Sequence, residues 1–385
     1  MLHYLKTKHI MKIGILTFSA SHNCGSMLQA FALQYVIAKK LNYECELINY
    51  ANDVSRNMYG LFDHRIGRGS LKRNVNTLLH IKTFKESARA YQDFSDKYLV
   101  LSDGYYRNKE DLAQIANQYD IIIAGGDQVW NVCCPDAGKE FYLCFTHNVK
   151  KVAYSPSLGG TNILKNADNL EEYRKLLNEF SSLSVREPHG KLWLEELSGR
   201  EVKIVADPTL LLSPAEWCEA LPVPEIPGKF IFNYAFYYDR PETNKIIQRI
   251  SEETDMPVYT LDLKSYAIQH LNKYGIKRFD YTGPLAFLGL MKNASLVLTQ
   301  SFHGTLFSSL FNRNFWSYNW VGMHNPDDDR ATAILEQMGL MDRYQMIDDL
   351  KNNNNIMAPI DFSPVNKRIN EMRAYAMDYL VDSLK

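Results

Sequence analysis

A histidine stands where a predicted strand gives way to a predicted helix, in the segment TQSFHGTL that ends at Leu306. Because histidine titrates near neutrality, His303 is suited to proton transfer. Gly304 would let a ligand approach closely, and Thr305 with the first N–H groups of the helix could hold a phosphate. Together with Ser301, these neighbours favour a reactive turn over a structural histidine whose hydrogen bonds are satisfied within the fold.

A second polar turn follows the apolar strand that ends at Ala124. Its small and polar residues are Gly125, Gly126, Asp127, Gln128 and Asn131. The glycines allow a tight turn, and such a turn does not by itself require the polar side chains. Trp130 offers a flat apolar face of the kind on which a sugar stacks, or else it anchors the core. We interpret this turn as part of a binding site.

An arginine follows a third apolar strand, which is short and ends at Val185. The planar guanidinium of Arg186 suits a carboxylate or a phosphate, and its position places it at the mouth of a cleft. The alternative is a surface ion pair with Glu187, which would contribute little stability. The spacing alone does not decide between the two.

The loop SASHNCGS, residues 19–26, joins the first predicted strand to the first predicted helix. Its small residues let the backbone approach a ligand, and the N-terminus of a helix favours an anion. The loop lacks the G-x-G-x-x-G pattern of dinucleotide-binding folds. An ordinary strand-to-helix turn is the alternative. The candidate binding residues in and just after this loop are Asn23, Gly25, Ser26 and Gln29.

The composition is that of an ordinary globular protein. The 385 residues are 46% apolar and 23% charged, and the net charge is −1, so no global field would attract DNA or RNA. A membrane-spanning helix needs about 18 consecutive apolar residues, and no apolar run in the sequence is that long. The six cysteines lack the spacing of a metal finger, which is typical of a reducing compartment. We expect a cytoplasmic protein with no nucleic-acid partner and no bound metal.

The elements that must position these turns alternate between strand and helix. Nearly unbroken apolar runs at residues 12–18, 44–49, 120–124 and 151–154 are typical of parallel strands covered on both faces. A right-handed β-α-β crossover between the first two strands favours a parallel sheet. We therefore predict a Rossmann-like domain over residues 11–221.

Residues 51–100 interrupt this alternation, because they are polar, aromatic-rich and basic around Arg65, Arg68, Lys72 and Arg73. Their periodicity is helical. They predict a helical insertion that is either a mobile flap near the cleft or a surface decoration.

Three prolines and a glycine in residues 221–228 predict a linker. The alternation then resumes, and we predict a second Rossmann-like domain over residues 229–362. A terminal helix follows over residues 363–385, with Ser363 as its N-cap and Pro364 at the first helical position. This helix could pack back on the first domain. The predicted fold class is therefore α/β, with two doubly wound parallel sheets.

Six stretches of the chain, taken in order, resemble the polysaccharide pyruvyl transferase family. They read KIGILTF with HNCGSMLQA, AGGDQVWN, VAYSPSLG, SVRE, ADPTLLL and SFHGT, and they span roughly residues 11–340. The resemblance implies a fold like that of the two-domain GT-B glycosyltransferases, with a cleft between the halves. It also adds Ser155, in the third stretch, to the binding residues.

The resemblance further implies a transferase for which phosphoenolpyruvate is the donor substrate and no resident cofactor is needed. The donor gives its enolpyruvyl carbon to two sugar hydroxyls, which yields a cyclic ketal and free phosphate. His303 would be the acid at C3 of the donor or a phosphate contact, and Arg186 would hold the donor carboxylate or phosphate. Asp127 is the candidate base for a sugar hydroxyl, and Arg330 is a second cation.

The implied acceptor is a sugar of a cell-surface polysaccharide precursor, either lipid-linked or nucleotide-linked. The protein would associate peripherally with the cytoplasmic face of the membrane. Ser301 occupies a position where some family members carry an arginine, so Arg186, Arg330 or the basic insertion would have to supply that charge, or the donor or acceptor differs. Two other functions stay open: a GT-B glycosyltransferase that uses a nucleotide sugar, and a sugar- or nucleotide-binding module without catalysis.

Overall fold

The computed structural model describes residues 11–320, 325 and 327–385. The strands of the first half are β1 (Lys12–Leu16), β2 (Glu44–Leu47), β3 (Ile121–Gly125), β4 (Lys150–Tyr154), β5 (Ser184–Val185) and β6 (Lys203–Ile204). The first four form a parallel sheet in the order β2-β1-β3-β4. A bridge between Val152 and Ser182 continues it towards the parallel pair β5 and β6. This order is that of flavodoxin-like doubly wound folds.

Helices connect and cover these strands. They are α1 (Cys24–Tyr35), α2 (Asp53–Tyr59), α3 (Arg68–Leu79), α4 (Ile81–Tyr98), α5 (Lys109–Ile115), α6 (Ile163–Asn166), α7 (Leu170–Asn178), α8 (Pro188–Ser198) and α9 (Pro214–Ala220). Every residue of α1 from Cys24 to Gln34 is buried, which explains why its sequence is apolar on almost all sides. The helices α2, α3 and α4 form the insertion whose helical character the periodicity predicts.

The second half contains a six-stranded parallel sheet. Its strands are β7 (Ile231–Tyr234), β8 (Val258–Thr260), β9 (Ile276–Arg278), β10 (Leu296–Thr299), β11 (Phe315–Asn319) and β12 (Tyr344–Met346). Their order, β9-β8-β7-β10-β11-β12, is that of the nucleotide-binding doubly wound fold. The predicted α/β class with two doubly wound parallel sheets is confirmed. The strands β9 and β12 were not predicted, because their sequences, IKR and YQM, do not form a buried apolar run.

The helices of the second half are α10 (Pro241–Thr254), α11 (Leu263–Gln269), α12 (Pro284–Asn293), α13 (Phe302–Leu310), α14 (Arg330–Met338), α15 (Ile347–Leu350) and α16 (Phe362–Leu384). The two halves share one apolar core, which takes side chains from α1, α12, α13 and α16. Trp217 lies in it fully buried, with its ring centroid 5.8 Å from that of Phe31 and 5.4 Å from that of Phe307. Because this contact between the halves is hydrophobic, it restrains their relative motion.

The terminal helix α16 begins earlier than predicted. Its N-cap is Asp361, whose carboxylate accepts the N–H of Ser363 at 3.0 Å, so Ser363 is not the cap and Pro364 is the third helical residue. Proline is tolerated there because the first-turn N–H groups have no intrahelical acceptor. The hydroxyl of Tyr379 donates to the carbonyl of Ala153 in β4 at 2.8 Å, so α16 contacts the first sheet.

Among the described helices, none combines the length and the apolar character needed to cross a lipid bilayer.

Candidate functional site

The carboxyl ends of strands from both sheets surround a cavity of about 730 Å³. The first half contributes Asn23, Ser26, Asp127, Gln128, Arg186 and His189 to its walls. The second half contributes, among others, Phe236, Tyr237, Gln300, Ser301, Phe302, His303, Asn319, Asp328, Asp329 and Arg330. Ligands of parallel α/β folds bind at this edge, so the cavity is the candidate functional site. It brings together the four turns that the sequence singles out.

The start of α1 forms one wall of this cavity. The side-chain oxygen of Asn23 caps the helix by accepting the N–H groups of Gly25 at 2.9 Å and Ser26 at 3.2 Å. The hydroxyl of Ser26 donates a hydrogen bond to the carboxylate of Asp127. The loops that follow β1 and β3 are therefore one connected surface.

The turn after β3 is held in a conformation that favours glycine, because Gly126 has φ +92°. The Oδ1 atom of Asp127 accepts the N–H of the next residue at 2.7 Å, and Nη2 of Arg186 lies 3.9 Å from the same oxygen. Gly125 and Gly126 do not themselves line the cavity. The turn therefore presents Asp127 to the cavity with a cation and a hydroxyl already beside it.

Arg186 is a buried cation that joins three segments. Its Nη1 donates to the carbonyl of Gly126 at 2.8 Å and to Oδ2 of Asp207 at 2.7 Å. The guanidinium also lies over the ring of Phe302, 4.3 Å from the centroid. Its Nε has no hydrogen-bond partner among the described residues. Glu187 lies 3.8 Å from this Nε and is 1% exposed, so the alternative of a surface ion pair is wrong.

Asp207 lies between the two predicted catalytic residues, and no role was predicted for it. Its Oδ2 accepts from Arg186 and lies 3.6 Å from Nε2 of His303, while its Oδ1 accepts the N–H and the hydroxyl of Thr209. Burial raises the pKa of this carboxyl, but the charges of His303 and Arg186 outweigh burial and hold the pKa well below its usual range. Asp207 is therefore ionised and shared by both residues.

His303 is the second residue of α13, and its side chain is 9% exposed. A Cβ atom on Gly25 would lie 2.2 Å from Nδ1 of the imidazole. Gly25 thus makes room for His303 and does not line the cavity, although it was predicted to contact a ligand. Nε2 of His303 has no hydrogen-bond partner among the described residues. The imidazole stands between Asp207 and the cavity.

The residues around His303 have structural roles that were not predicted from the sequence. Ser301 caps α13 by accepting the N–H of Gly304 at 3.3 Å, and it does line the cavity. The hydroxyl of Thr305 is fully buried and donates to the carbonyl of Ser301 at 3.2 Å, so the prediction that it holds a phosphate is wrong. A Cβ on Gly304 would lie 2.1 Å from Oγ1 of Thr299, so this glycine serves packing.

Arg330 lines the cavity as a paired cation. Its Nε and Nη2 donate to the two oxygens of Asp328 at 2.8 and 2.7 Å. Burial lowers the pKa of Arg330, but the bonds to Asp328 outweigh burial and raise it above its usual value. The neighbouring Asp329 accepts the backbone N–H of His189 at 3.0 Å and so ties α14 to the first half. The acidic partners of Arg330 were not predicted as part of the site.

Trp130 is fully buried in the core and does not line the cavity. Its ring stacks on Tyr142 with centroids 4.9 Å apart, and the edge of Phe180 covers it at 5.5 Å. The interpretation of Trp130 as a platform for a sugar is therefore wrong, and the alternative of a core anchor is correct.

Three further predicted binding residues lie outside the cavity. The amide of Gln29 donates to the hydroxyl of Thr17 at 2.9 Å, and that of Asn131 donates to the side chain of Gln128 at 3.2 Å. Ser155 is fully buried at φ +47°. These residues support the turns that line the cavity, so each was correctly placed near the site but has no surface there.

A second cavity, of about 390 Å³, lies between the loop after β1 and the insertion. The ring of His22 stacks there on Tyr91 with centroids 5.1 Å apart. Burial, helped by the charge of Lys264, lowers the pKa of His22 to about 4. His22 lines this second cavity while the next residue, Asn23, lines the first, so the start of α1 separates the two.

The described residues include no group of three or more His, Cys, Asp or Glu side chains arranged to hold a metal ion. The chemistry that the cavity walls offer is that of two arginines, two histidines and several carboxylates. Such a set can bind an anion, orient hydroxyl groups and move protons.

Two doubly wound parallel sheets that meet across a polar cavity at their strand ends define a GT-B-type protein, the class of many sugar-acting enzymes. Within this class the chain belongs to the polysaccharide pyruvyl transferase family, because the sequence model of that family matches residues 23–320. The predicted family is thereby confirmed. No curated protein matches the chain.

Several solved structures share the fold. MnaA of S. aureus, in a co-structure with UDP, is 10% identical over 95% of this chain and 97% of its own, with a TM-score of 0.51. The UDP-GlcNAc 2-epimerase of Methanocaldococcus jannaschii, in complex with UDP-GlcNAc and UDP, is 14% identical over 95% and 100%, with a TM-score of 0.50. An O-GlcNAc transferase mutant of Thermobaculum terrenum is 12% identical, but its TM-score of 0.42 is too low to show a shared fold. This chain is covered to 96% and spans 64% of that protein. At these identities the likeness concerns the fold alone.

Proposed function

We propose that the protein transfers pyruvate from phosphoenolpyruvate to two hydroxyls of a sugar, forming a cyclic ketal and releasing phosphate. The observation that carries this proposal is the arrangement of Arg186, Asp207 and His303 at the edge of the cavity. Arg186 donates to the ionised carboxylate of Asp207, and Nε2 of His303 lies 3.6 Å from the same carboxylate. Nε of Arg186 has no hydrogen-bond partner among the described residues. Membership of the family supports a transferase but does not by itself identify the donor.

The donor carries a carboxylate and a phosphate, which need hydrogen-bond donors. In our proposal Nε of Arg186 binds the carboxylate, because it has no hydrogen-bond partner among the described residues and Glu187 lies no nearer than 3.8 Å to it. The phosphate lies at the N-terminus of α13, where Ser301 and Phe302 line the cavity. This assignment needs no arginine at position 301, since the helix N-terminus supplies the positive end of a dipole.

His303 protonates C3 of the donor, which makes C2 an oxocarbenium-like centre that a sugar hydroxyl attacks. Asp207 lies 3.6 Å from Nε2 and orients the imidazole, in the way that a buried carboxylate orients a catalytic histidine. The C2–O bond to phosphate then breaks, and the second hydroxyl closes the ketal. Of the two hydroxyl protons released, one balances the proton placed on C3 and the other leaves on the phosphate.

Asp127 is the group placed to accept a hydroxyl proton. It lines the cavity and is 6% exposed, and its oxygens already contact Ser26 and the backbone. The guanidinium of Arg186 lies 3.9 Å from Oδ1 of Asp127. Acid and base thus stand on opposite halves of the protein, with the acceptor between them.

The test is an incubation with phosphoenolpyruvate and a panel of β-galactosides and N-acetylhexosamines, followed by phosphate release and product mass. We expect phosphate release with each accepted sugar and a product heavier by one ketal-linked pyruvate. His303→Asn should lower turnover about 10²-fold or more while donor binding persists.

Calorimetry with the donor alone separates the alternatives. Absence of both turnover and donor binding contradicts the proposal. Thermal stabilisation by UDP but not by phosphoenolpyruvate would instead indicate a nucleotide-sugar enzyme. If the unmodified protein and His303→Asn both bind the ligand and neither shows turnover, the protein is a binding module.

A further inference from the structure

Helix α3 of the insertion turns its polar side chains inward. The hydroxyl of Thr77 donates to the carbonyl of Leu61 at 3.1 Å, and the amide of Asn74 donates to the carbonyl of Asp63 at 2.9 Å. The guanidinium of Arg73 donates to the carbonyl of Gly60 at 2.6 Å. These bonds to backbone carbonyls, and not an apolar stripe, hold α3 against the rest of the insertion.

The opposite face of α3 is apolar and exposed to solvent. Leu71, Val75, Leu78 and Leu79 are 66, 46, 62 and 72% exposed, and Ile66 just before the helix is fully exposed. Spacings of three, four and seven residues place these side chains on one side of a helix. A contiguous apolar face of this kind on a soluble protein marks an interaction surface.

The charge around this face has one sign. Residues 65–85 contain six lysines and arginines and no aspartate or glutamate, although the whole chain has a net charge of −1. Arg68, Lys72, Lys82 and Lys85 are exposed and form no ion pair with the described residues. A partner for this face must therefore combine an apolar interior with a negative surface.

We propose that the apolar face formed by Leu71, Val75, Leu78 and Leu79 of α3, with Ile66 just before the helix, docks the protein on an anionic lipid bilayer. Leucines flanked by lysines and arginines match the boundary between acyl chains and acidic headgroups, in which an amphipathic helix lies flat. Apolar burial and electrostatic attraction then act together, as stable peripheral binding requires. The binding does not depend on the proposed pyruvyl transfer.

The position of α3 gives this docking a consequence for the site. The neighbouring helices α2 and α4 supply Arg56, Tyr59 and Tyr91 to the wall of the second cavity, which adjoins the first across the start of α1. A bilayer bound at α3 would therefore lie beside the helices that border the second cavity.

The test is co-sedimentation of the full chain with vesicles of phosphatidylcholine and phosphatidylglycerol in equal parts, and with vesicles of phosphatidylcholine alone. We expect binding to the first that weakens with salt, and little binding to the second. The triple variant Leu71→Gln, Leu78→Gln, Leu79→Gln should lower the partition coefficient about tenfold or more. Arg68→Gln with Lys72→Gln should lower it less and flatten its salt dependence.

The matched control is Leu192→Gln, which changes a leucine on α8 that is 60% exposed. It should leave vesicle binding unchanged, and circular dichroism should show that each variant keeps its helices. The proposal is overturned if the unmodified chain stays in the supernatant or if the triple variant binds as well as Leu192→Gln. It is also overturned if sedimentation equilibrium without lipid shows a dimer that the triple variant abolishes, because α3 would then join two copies of the chain.

Discussion

The cleft and the insertion use the same charged residue types in opposite ways. In the cleft, Arg186 and Asp207 are almost completely buried and bonded to each other and to the backbone. In the insertion, Arg68 and Lys72 stand in water without an ion-pair partner among the described residues. The cleft charges are therefore held by bonds within the fold, whereas the insertion charges are available to a partner.

This contrast has an energetic basis. A buried charge is tolerated only with a partner and further hydrogen bonds, which fixes its position and leaves few arrangements of the site. The apolar core shared by α1, α12, α13 and α16 lies under the cleft and resists deformation. The α3 helix, by comparison, is attached by side-chain bonds to carbonyls and hides little apolar surface. Its local stability is therefore expected to be lower.

The largest difference between the two regions should appear when one arginine is removed from each. Arg186→Met leaves Asp207 buried without its cation, so we expect a loss of about 3–5 kcal/mol in the free energy of unfolding. Arg68→Met removes an exposed charge and should change the same quantity by less than about 0.5 kcal/mol. Urea unfolding followed by circular dichroism measures both. Equal losses would show that the cleft charges are no more committed to the fold than those of α3.

A second difference should appear with pH. Burial and Lys264 lower the pKa of His22 to about 4, against about 6.5 in an unfolded chain. The unfolded state then binds the proton more readily. The stability that neutral His22 contributes is fully present above about pH 6.5 and is lost as the pH falls towards 4. A gap of about 2.5 pKa units at about 1.4 kcal/mol each sets an upper limit of about 3.5 kcal/mol.

The carboxyl of Asp207 titrates in a different window. Since its pKa is lowered, the stability that it contributes is present above about pH 4 and is lost only below that pH. Burial raises the pKa values of Glu187 and Asp329 in the cleft, so the contribution of His22 is read from the difference between variants in urea midpoints at pH 4 to 7. His22→Gln should flatten the slope in that range, and His64→Gln, at an exposed position of the insertion, should leave it as it is. If His22→Gln leaves the slope of the urea midpoint against pH unchanged, His22 is not the cause of that slope.

The sequence predicted the architecture because the apolar runs of parallel strands are local signals. The positions of His303, Arg186 and Asp127 followed from one rule, that ligands bind beyond strand ends. Asp207 was not predicted as a site residue because its contacts come from distant parts of the chain. The residues next to it in the sequence do not show that Arg186 and His303 converge on its carboxylate. Thr305 was misassigned for the opposite reason, since a hydroxyl near a strand end is equally useful for packing.

The orientation of α3 was also beyond the sequence. The helical period in residues 68–79 shows that one face of the helix is apolar. It does not show whether that face is buried or exposed. Only the bonds of Thr77 and Asn74 to backbone carbonyls reveal that the polar face is the inner one. Periodicity alone therefore distinguishes a helix from a strand more reliably than inside from outside.

Two glycines, one in the cleft and one in the insertion, should respond differently to an added methyl group. In the cleft, Gly25→Ala places a Cβ atom 2.2 Å from Nδ1 of His303, so the imidazole or α1 must move. We expect turnover to fall about 10²-fold, because a shift of about 1 Å at a reacting group costs that much. In the insertion, Gly69→Ala meets no atom within 4 Å and should leave turnover unchanged while stabilising α3 slightly. Phosphate release measures turnover. The NMR resonances of the His303 imidazole report whether the ring has moved, even if the protein shows no turnover. If Gly25→Ala kept both the rate and the resonances of the unmodified protein, the cleft would be as adaptable as the insertion, and the close packing of His303 would not be what prepares it for proton transfer.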